Sequence, residues 1–289
     1  MQALELKENK LILENISINY VEGGEGQPMI FLHNGGGFWH SWEHQINHFS
    51  KNYKVYGIDW PGFGESESPP DLISLELLTR VLSSFIASKK LHEVILVGNC
   101  IGGSAALLYN MRNPKVVSKL LLFNICPGSL IYPVPFIRPL FPTLNDYPII
   151  KKWLGNFMAF CFTKTPIKRK FPSMLFGKND WSSSDLYKRY VEKFKSPRQT
   201  ESRVNMVFSV HTFNIKGYLE KNNIPKHILV WGEHNSVTPL KKHGYLHQKI
   251  LKSPEFIVLN KTGHLCMYED PSSVNEIIEN YLKKGEVYH

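Results

Sequence analysis

Six short apolar runs, each separated from the next by a segment of helical periodicity, constrain this chain more than any other feature. They are "PMIFLH", "YKVYGID", "EVILVG", "VSKLLLFNI", "HILVWGEH" and "EFIVLN". Short continuous runs bounded by glycine, proline or polar residues fit strands buried on both faces. The intervening segments "HSWEHQINHFSK", "SLELLTRVLSSFIASKKL", "AALLYNMR", "LKKHGYLHQKIL" and "PSSVNEIIENYLKK" carry helical spacing. Such alternation builds a mostly parallel sheet with helices on both faces, and ligands bind outside the carboxyl ends of its strands. Upstream, "LELK" and "LILENISINYVEGG" read as two further strands.

The alternation stops between about residues 127 and 215, a stretch rich in proline and aromatic residues. Several helices and no strands are expected there. The sequence therefore divides into a core formed by 1–126 and 216–289, and a helical cap formed by 127–215. A chain of 289 residues accommodates one α/β domain with such an insertion.

Four motifs fall at strand ends. "GNCIGG" is a strand-to-helix turn in which Gly98 and Gly102 flank Cys100. A reactive side chain held on such a turn projects over a helix N-terminus, whose free N–H groups favour a thiolate or an oxyanion. "HNGGG" follows an earlier strand, and its backbone at Asn34 and Gly35 can join the N–H of Ile101 as an oxyanion hole. "WGEHNSVTP" presents Asn235 after another strand, and "GHLCMYEDP" presents His264 after the last. The chain order is nucleophile, orienting residue, histidine. Trp39, Asn99, Cys126 and Leu265 stand near these groups and are expected to line a substrate pocket. Glu233 and Asp59 are read as structural carboxylates, and Glu269 and Asp270 as residues that cap or orient the last helix.

In these motifs, with the loop "DWPGFGES", the chain resembles the α/β-hydrolase superfamily over nearly its whole length. The resemblance implies an α/β-hydrolase sheet with helices on both faces and the helical cap inserted after the sixth strand. In that family the nucleophile is usually serine and the orienting residue aspartate, whereas the matching positions here hold Cys100 and Asn235. The two departures are consistent with each other. A serine needs a carboxylate to stabilise the imidazolium that forms on attack, and losing it costs about four orders of magnitude. A cysteine can rest as thiolate beside imidazolium, so its histidine needs orientation more than charge. Asparagine supplies orientation, as in Cys-His-Asn proteases. The short elbow is also similar to the G-x-C-x-G-G elbow of polyhydroxyalkanoate synthases, which transfer acyl groups from thioesters.

The expected function is hydrolysis of an ester or thioester through a Cys100 acyl-enzyme, with His264 and Asn235 completing the triad. Two alternatives stay open. One is acyl transfer from the same cysteine to an alcohol or amine, and the other is a ligand-binding relative without turnover. The aromatic insertion suggests a small acyl substrate of apolar character.

The net charge of +9 is spread along the chain, with one dense cluster, "KTPIKRKF", and no nucleic-acid-binding signature. A solvated basic surface is the expectation, with no nucleic-acid partner. The four cysteines, Cys100, Cys126, Cys161 and Cys266, are too scattered for a disulfide framework or a zinc site. His40, His44 and His48 share a helix face without HExxH or another evident ligand, so no metal and no cofactor are expected. The first twenty residues lack a continuous apolar core, and no run reaches membrane-spanning length. A reducing, cytoplasmic setting without stable membrane insertion is expected, for a monomer or homodimer.

Overall fold

The computed structural model describes residues 6–69, 73–126, 153, 173–209, 219, 225–253 and 255–284. Eight strands among these form one sheet: β1 (Lys7–Leu13), β2 (Ile16–Gly23), β3 (Pro28–Leu32), β4 (Lys54–Ile58), β5 (Val94–Asn99), β6 (Val117–Phe123), β7 (Ile228–Gly232) and β8 (Glu255–Leu259). Helices are α1 (Glu43–Phe49), α2 (Leu75–Ser88), α3 (Ile101–Arg112), α4 (Asp185–Lys195), α5 (Pro197–Phe208), α6 (Tyr245–Leu251) and α7 (Pro271–Lys283). The strand order is β1-β2-β4-β3-β5-β6-β7-β8. The first two pairings are antiparallel and the rest parallel.

The N-terminal strands differ from the reading of the sequence. A single strand does not run from Leu11 to Gly24. Glu14 and Asn15 adopt φ of 51° and 60° and close a two-residue hairpin between Leu13 and Ile16. Positive φ at both central positions matches the right-handed twist of the flanking strands. Of "LELK", the first two residues lie outside the described ones, and Lys7 opens β1.

All six residues of β5 are buried, as a strand covered on both faces requires. Side chains alternate between two apolar clusters. Ile30, Leu32 and Leu96 join the cluster under α2 and α3, whereas Met29, Phe31, Ile95 and Val97 join the one that contains Ile46, Val274 and Ile278. The amphipathic reading of α2 holds to its first turn, where the Ser74 Oγ accepts the Leu77 N–H at 3.1 Å.

The cap assigned to 127–215 falls largely outside the described residues, as do Cys161 and the basic cluster at 164–170. Within 173–209, α4 and α5 are helical as expected. Their contacts run to the loops at the carboxyl ends of the core strands: Lys193 Nζ and Gln199 Nε2 donate to the Gly64 carbonyl, and the Tyr190 hydroxyl donates to Asn34 Oδ1. Of the three histidines near α1, His48 pairs with a carboxylate, Glu279 at 2.7 Å. His40 stacks on Trp39 at 3.6 Å between ring centroids, and His44 packs on Tyr268. Half-burial against aromatic rings, not hydration alone, describes that face.

Candidate functional site

The chain turns back at β3 and β5. It leaves β3 toward β4 on one side of the sheet and β5 toward β6 on the other. Such a switch point opens a crevice at the carboxyl ends of the strands. The turn at residues 33–37 and Cys100 face each other across it.

Cys100 has φ 55° and ψ −116°, between the last residue of β5 and the first of α3. A non-glycine residue is held there only when its surroundings dictate it, at a cost of about 1–3 kcal/mol. The surroundings are backbone. A Cβ on Gly98 would stand 2.6 Å from the Gly102 carbonyl, and one on Gly102 would stand 2.5 Å from the Leu32 carbonyl oxygen. Only glycine at both positions lets α3 start this close to the sheet. The first N–H groups of α3, that of Ile101 included, lack an intrahelical acceptor and point toward the crevice.

The Cys100 thiol is buried, yet it is held well below the ordinary thiol range. A hydrogen bond from the Cys126 thiol contributes most. Burial opposes it, and the charge and hydrogen bond of His264 and the Gly35 N–H assist. The Cys126 backbone reinforces the pair, its N–H donating to the Cys100 carbonyl at 3.2 Å. Cys266 is the contrast: burial pushes its thiol up to about 12. One consequence is measurable. Cys126→Ala removes a hydrogen bond to a charged acceptor, worth ~1.5–3 kcal/mol. The pH midpoint for alkylation of Cys100 by iodoacetamide, followed by peptide mapping, is then expected to rise by roughly 1–2 units. An unchanged midpoint would show that the Cys126 thiol does not stabilise the thiolate.

His264 Nδ1 lies 3.2 Å from Asn235 Oδ1. The assignment of that oxygen is forced, because it also accepts the Thr238 backbone N–H at 2.9 Å. The Asn235 amide nitrogen donates to Thr238 Oγ1 at 2.8 Å and to Asn124 Oδ1 at 2.9 Å. Facing an acceptor, Nδ1 must carry the proton, which leaves Nε2 as the nitrogen for the thiol.

Asn124 went unnoticed in the sequence. It follows β6 with φ 43° and is fully buried. Its Oδ1 accepts the Gly232 N–H at 3.0 Å, and its Nδ2 donates to Asn99 Oδ1 at 3.3 Å, to the His264 carbonyl at 3.2 Å and to Cys266 Sγ at 3.5 Å. Asn99 Nδ2 donates to the same carbonyl at 3.1 Å. Three asparagines from the ends of β5, β6 and β7 thus hold His264 from two sides. The available signal was a polar residue directly after an apolar strand, at the same sheet edge as the other groups.

The turn is braced from below. The His33 Nδ1–H donates to the Asn34 carbonyl at 2.6 Å, and its Nε2 accepts the Trp60 N–H at 2.9 Å. Burial pulls His33 down to about 3, so it is a neutral brace. The Asn34 carbonyl also accepts the Gly37 N–H at 3.0 Å, which closes the turn and leaves the Gly35 N–H on Cys100.

Among the described residues the hydrogen-bond partner of His264 Nδ1 is Asn235, and the carboxylates have other partners. Asp59 accepts the N–H groups of Trp39 at 2.7 Å and Glu65 at 3.0 Å, and burial raises it to about 6. Glu233 is exposed and accepts the Lys261 N–H at 2.9 Å. Asp270 caps α7 through the Ser273 N–H at 3.1 Å. Glu269 does not cap that helix. Its two oxygens take the N–H groups of Gly263 and Gly177, each at 2.8 Å, and so tie the His264 loop to the segment before α4. Burial raises Glu269 to about 7.

The four residues expected to line a pocket separate in space. Cys126 touches Cys100. The Asn99 amide is spent on the His264 carbonyl and Asn124. Leu265 is fully buried, and its N–H donates to the Leu175 carbonyl at 2.9 Å. Trp39 lines a different cleft, with Phe38, Asp59, Lys188 and Arg189.

A family model for the alpha/beta hydrolase fold matches residues 27–271. Epoxide hydrolase 4 of Mus musculus is 24% identical over 285 aligned residues, which cover 93% of this chain and 77% of the relative. The 2-hydroxy-6-oxo-6-phenylhexa-2,4-dienoate hydrolase of Comamonas testosteroni is 24% identical over 287 residues, covering 94% of this chain and 93% of the relative. Among solved structures, a thermophilic esterase from Thermogutta terrifontis superposes with a TM-score of 0.75 at 16% identity, over 96% of this chain and 98% of that one, a likeness of fold. With the family model spanning β3 through β8 and the crevice, the chain belongs to the α/β hydrolase fold family.

Proposed function

We propose that this protein is a hydrolase of ester or thioester acyl substrates working through a covalent intermediate on Cys100. The observation that carries the reading is the Cys100 thiol itself. It sits on a positive-φ turn, in hydrogen-bond contact with His264 and the Gly35 N–H, and is depressed well below the ordinary thiol range. The thiolate attacks the carbonyl carbon, and a C–S bond forms. The oxygen takes the negative charge between the N–H groups of Gly35 and Ile101. Collapse expels the alcohol or thiol, which takes the proton from His264 Nε2. Water then gives a proton to the same nitrogen and attacks the thioester, releasing the acid and restoring the thiolate. Asn235 keeps the ring in register throughout. The segment 127–215 serves as the lid in this reading, its α4 and α5 covering the glycine turn. A free catalytic thiol suits a reducing compartment such as the cytoplasm.

Chemistry also separates this reading from the activity in the name of the epoxide hydrolase relative. A thiolate opening an epoxide leaves a thioether, which has no carbonyl for water to attack. Intact-protein mass spectrometry distinguishes the two. p-Nitrophenyl butyrate is expected to give a butyryl adduct that maps to Cys100 and decays with hydrolysis. Styrene oxide is expected to give at most one stable adduct per chain and no multiple turnover. Repeated epoxide turnover, or the lack of a Cys100 adduct with any short acyl ester or thioester, would overturn the proposal.

A further inference from the structure

Arg203 is 5% exposed, on α5. Its Nη2 donates to Thr200 Oγ1 at 3.0 Å and to the carbonyls of Lys193 and Phe194 at 3.4 Å each. Its Nε and Nη1 are buried and have no hydrogen-bond partner among the described residues. The Phe194 ring covers one face of the guanidinium at 3.9 Å. No carboxylate among the described residues pairs with it. A buried cation left this way is costly, and natural proteins pair or ligate such groups. Burial draws its pKa down to about 9, so the group stays charged at neutral pH. Closing the end of α4 accounts for Nη2 only.

The side chain runs along the glycine turn of the active site. A Cβ placed on Gly36 would lie 3.4 Å from Arg203 Cδ and 3.6 Å from Cγ. One helical turn further on, Met206 Sδ would lie 2.6 Å from a Cβ on Gly35, the residue whose N–H meets the Cys100 sulfur. Gly36 has φ 75°, which favours glycine, and the side chain that α5 lays in van der Waals contact with it is a cation with two unfilled donors. We infer that Arg203 forms an anion subsite, so that the preferred acyl substrates carry a carboxylate or a similar anionic group beyond the reacting carbonyl. The proposal rests on the acyl-hydrolase reading above and names its substrate class. The unfilled Nε–H and Nη1–H donate to the anion, and Phe194 keeps water from that face of the guanidinium.

The anion can sit on the acyl side or on the leaving group, and paired substrates tell these apart. For the acyl side, p-nitrophenyl hemiglutarate is compared with p-nitrophenyl valerate. For the leaving group, S-acetyl-3-mercaptopropionate is compared with ethyl thioacetate. The wild-type protein is expected to favour the anionic member of one pair by more than about tenfold in kcat/KM, a charge-assisted contact being worth more than ~1.4 kcal/mol. In Arg203→Met that ratio is expected to fall by at least tenfold, and in Arg203→Lys by less. Equal rates within both pairs, or a ratio unchanged in Arg203→Met, would overturn the subsite. Calorimetric titration of glutarate gives a readout without turnover. Binding to wild type that Arg203→Met loses and Arg203→Lys weakens supports the subsite, even if neither pair acylates Cys100 and the hydrolase reading falls. Absence of glutarate and 3-mercaptopropionate binding to wild type, together with equal rates in both pairs, sinks the inference without using a variant.

Discussion

Cys100→Ser is expected to lower the rate of acyl hydrolysis by about four orders of magnitude, although it changes one atom. The reason lies at the other end of the imidazole. A serine must lose its proton as it attacks, so His264 becomes cationic only in the transition state and needs a negative partner. Its Nδ1 meets Asn235 Oδ1, a neutral oxygen. The neighbouring strand end carries Asn124, also neutral. The thiolate has its charge separated beforehand and asks less of the amide. Asn235→Asp in the serine variant is expected to return only part of the loss. An aspartate oxygen would face Asn124 Oδ1, which the amide now meets as a donor at 2.9 Å. Steady-state kinetics on p-nitrophenyl butyrate checks both variants, and a serine variant within tenfold of wild type would remove the case for a thiolate–imidazolium pair.

Asn124→Ala is expected to lower the melting temperature by roughly 10 °C and to reduce kcat at the same time. It leaves the buried Gly232 N–H without its acceptor, and the Asn235 amide keeps only Thr238. Each buried donor left unsatisfied costs ~1–3 kcal/mol, and a chain of this size loses about 2–4 °C per kcal/mol. The kinetic effect follows from the His264 carbonyl, which loses one of the two amides that hold it. Asn124→Asp separates the two roles. It keeps an acceptor for Gly232 and sets an oxygen against the Asn99 and His264 oxygens. Thermal unfolding and kcat measured on both variants test the assignment. Wild-type stability in Asn124→Ala would show that the network does not hold the loop.

Much of this was legible in the chain. The six apolar runs became β3–β8, because a strand buried on both faces needs continuous apolar residues and little else. That Cys100, Asn235 and His264 lie together was legible because each follows such a strand, and the sheet delivers all those ends to one edge. The N-terminal hairpin was not found, since Glu14-Asn15 lacks the glycine that usually marks a two-residue turn. What the chain did not disclose is that Trp39 lines a cleft with Asp59 and that the Asn99 amide bonds the His264 carbonyl.

Alternation of strand and helix is a local property, written every few residues as hydrophobic periodicity, so the sequence by itself determined the sheet, its helices and the strand ends that carry the reactive groups. Pairings across the crevice are not local. Asn124 meets a carbonyl 140 positions later, Tyr190 reaches back 156 to Asn34, and Arg203 lies against Gly36. Only the tertiary structure decided which buried polar groups find partners, because desolvation penalises each donor according to what the whole fold brings beside it. By that measure Asn124 is fully satisfied and Arg203 is not.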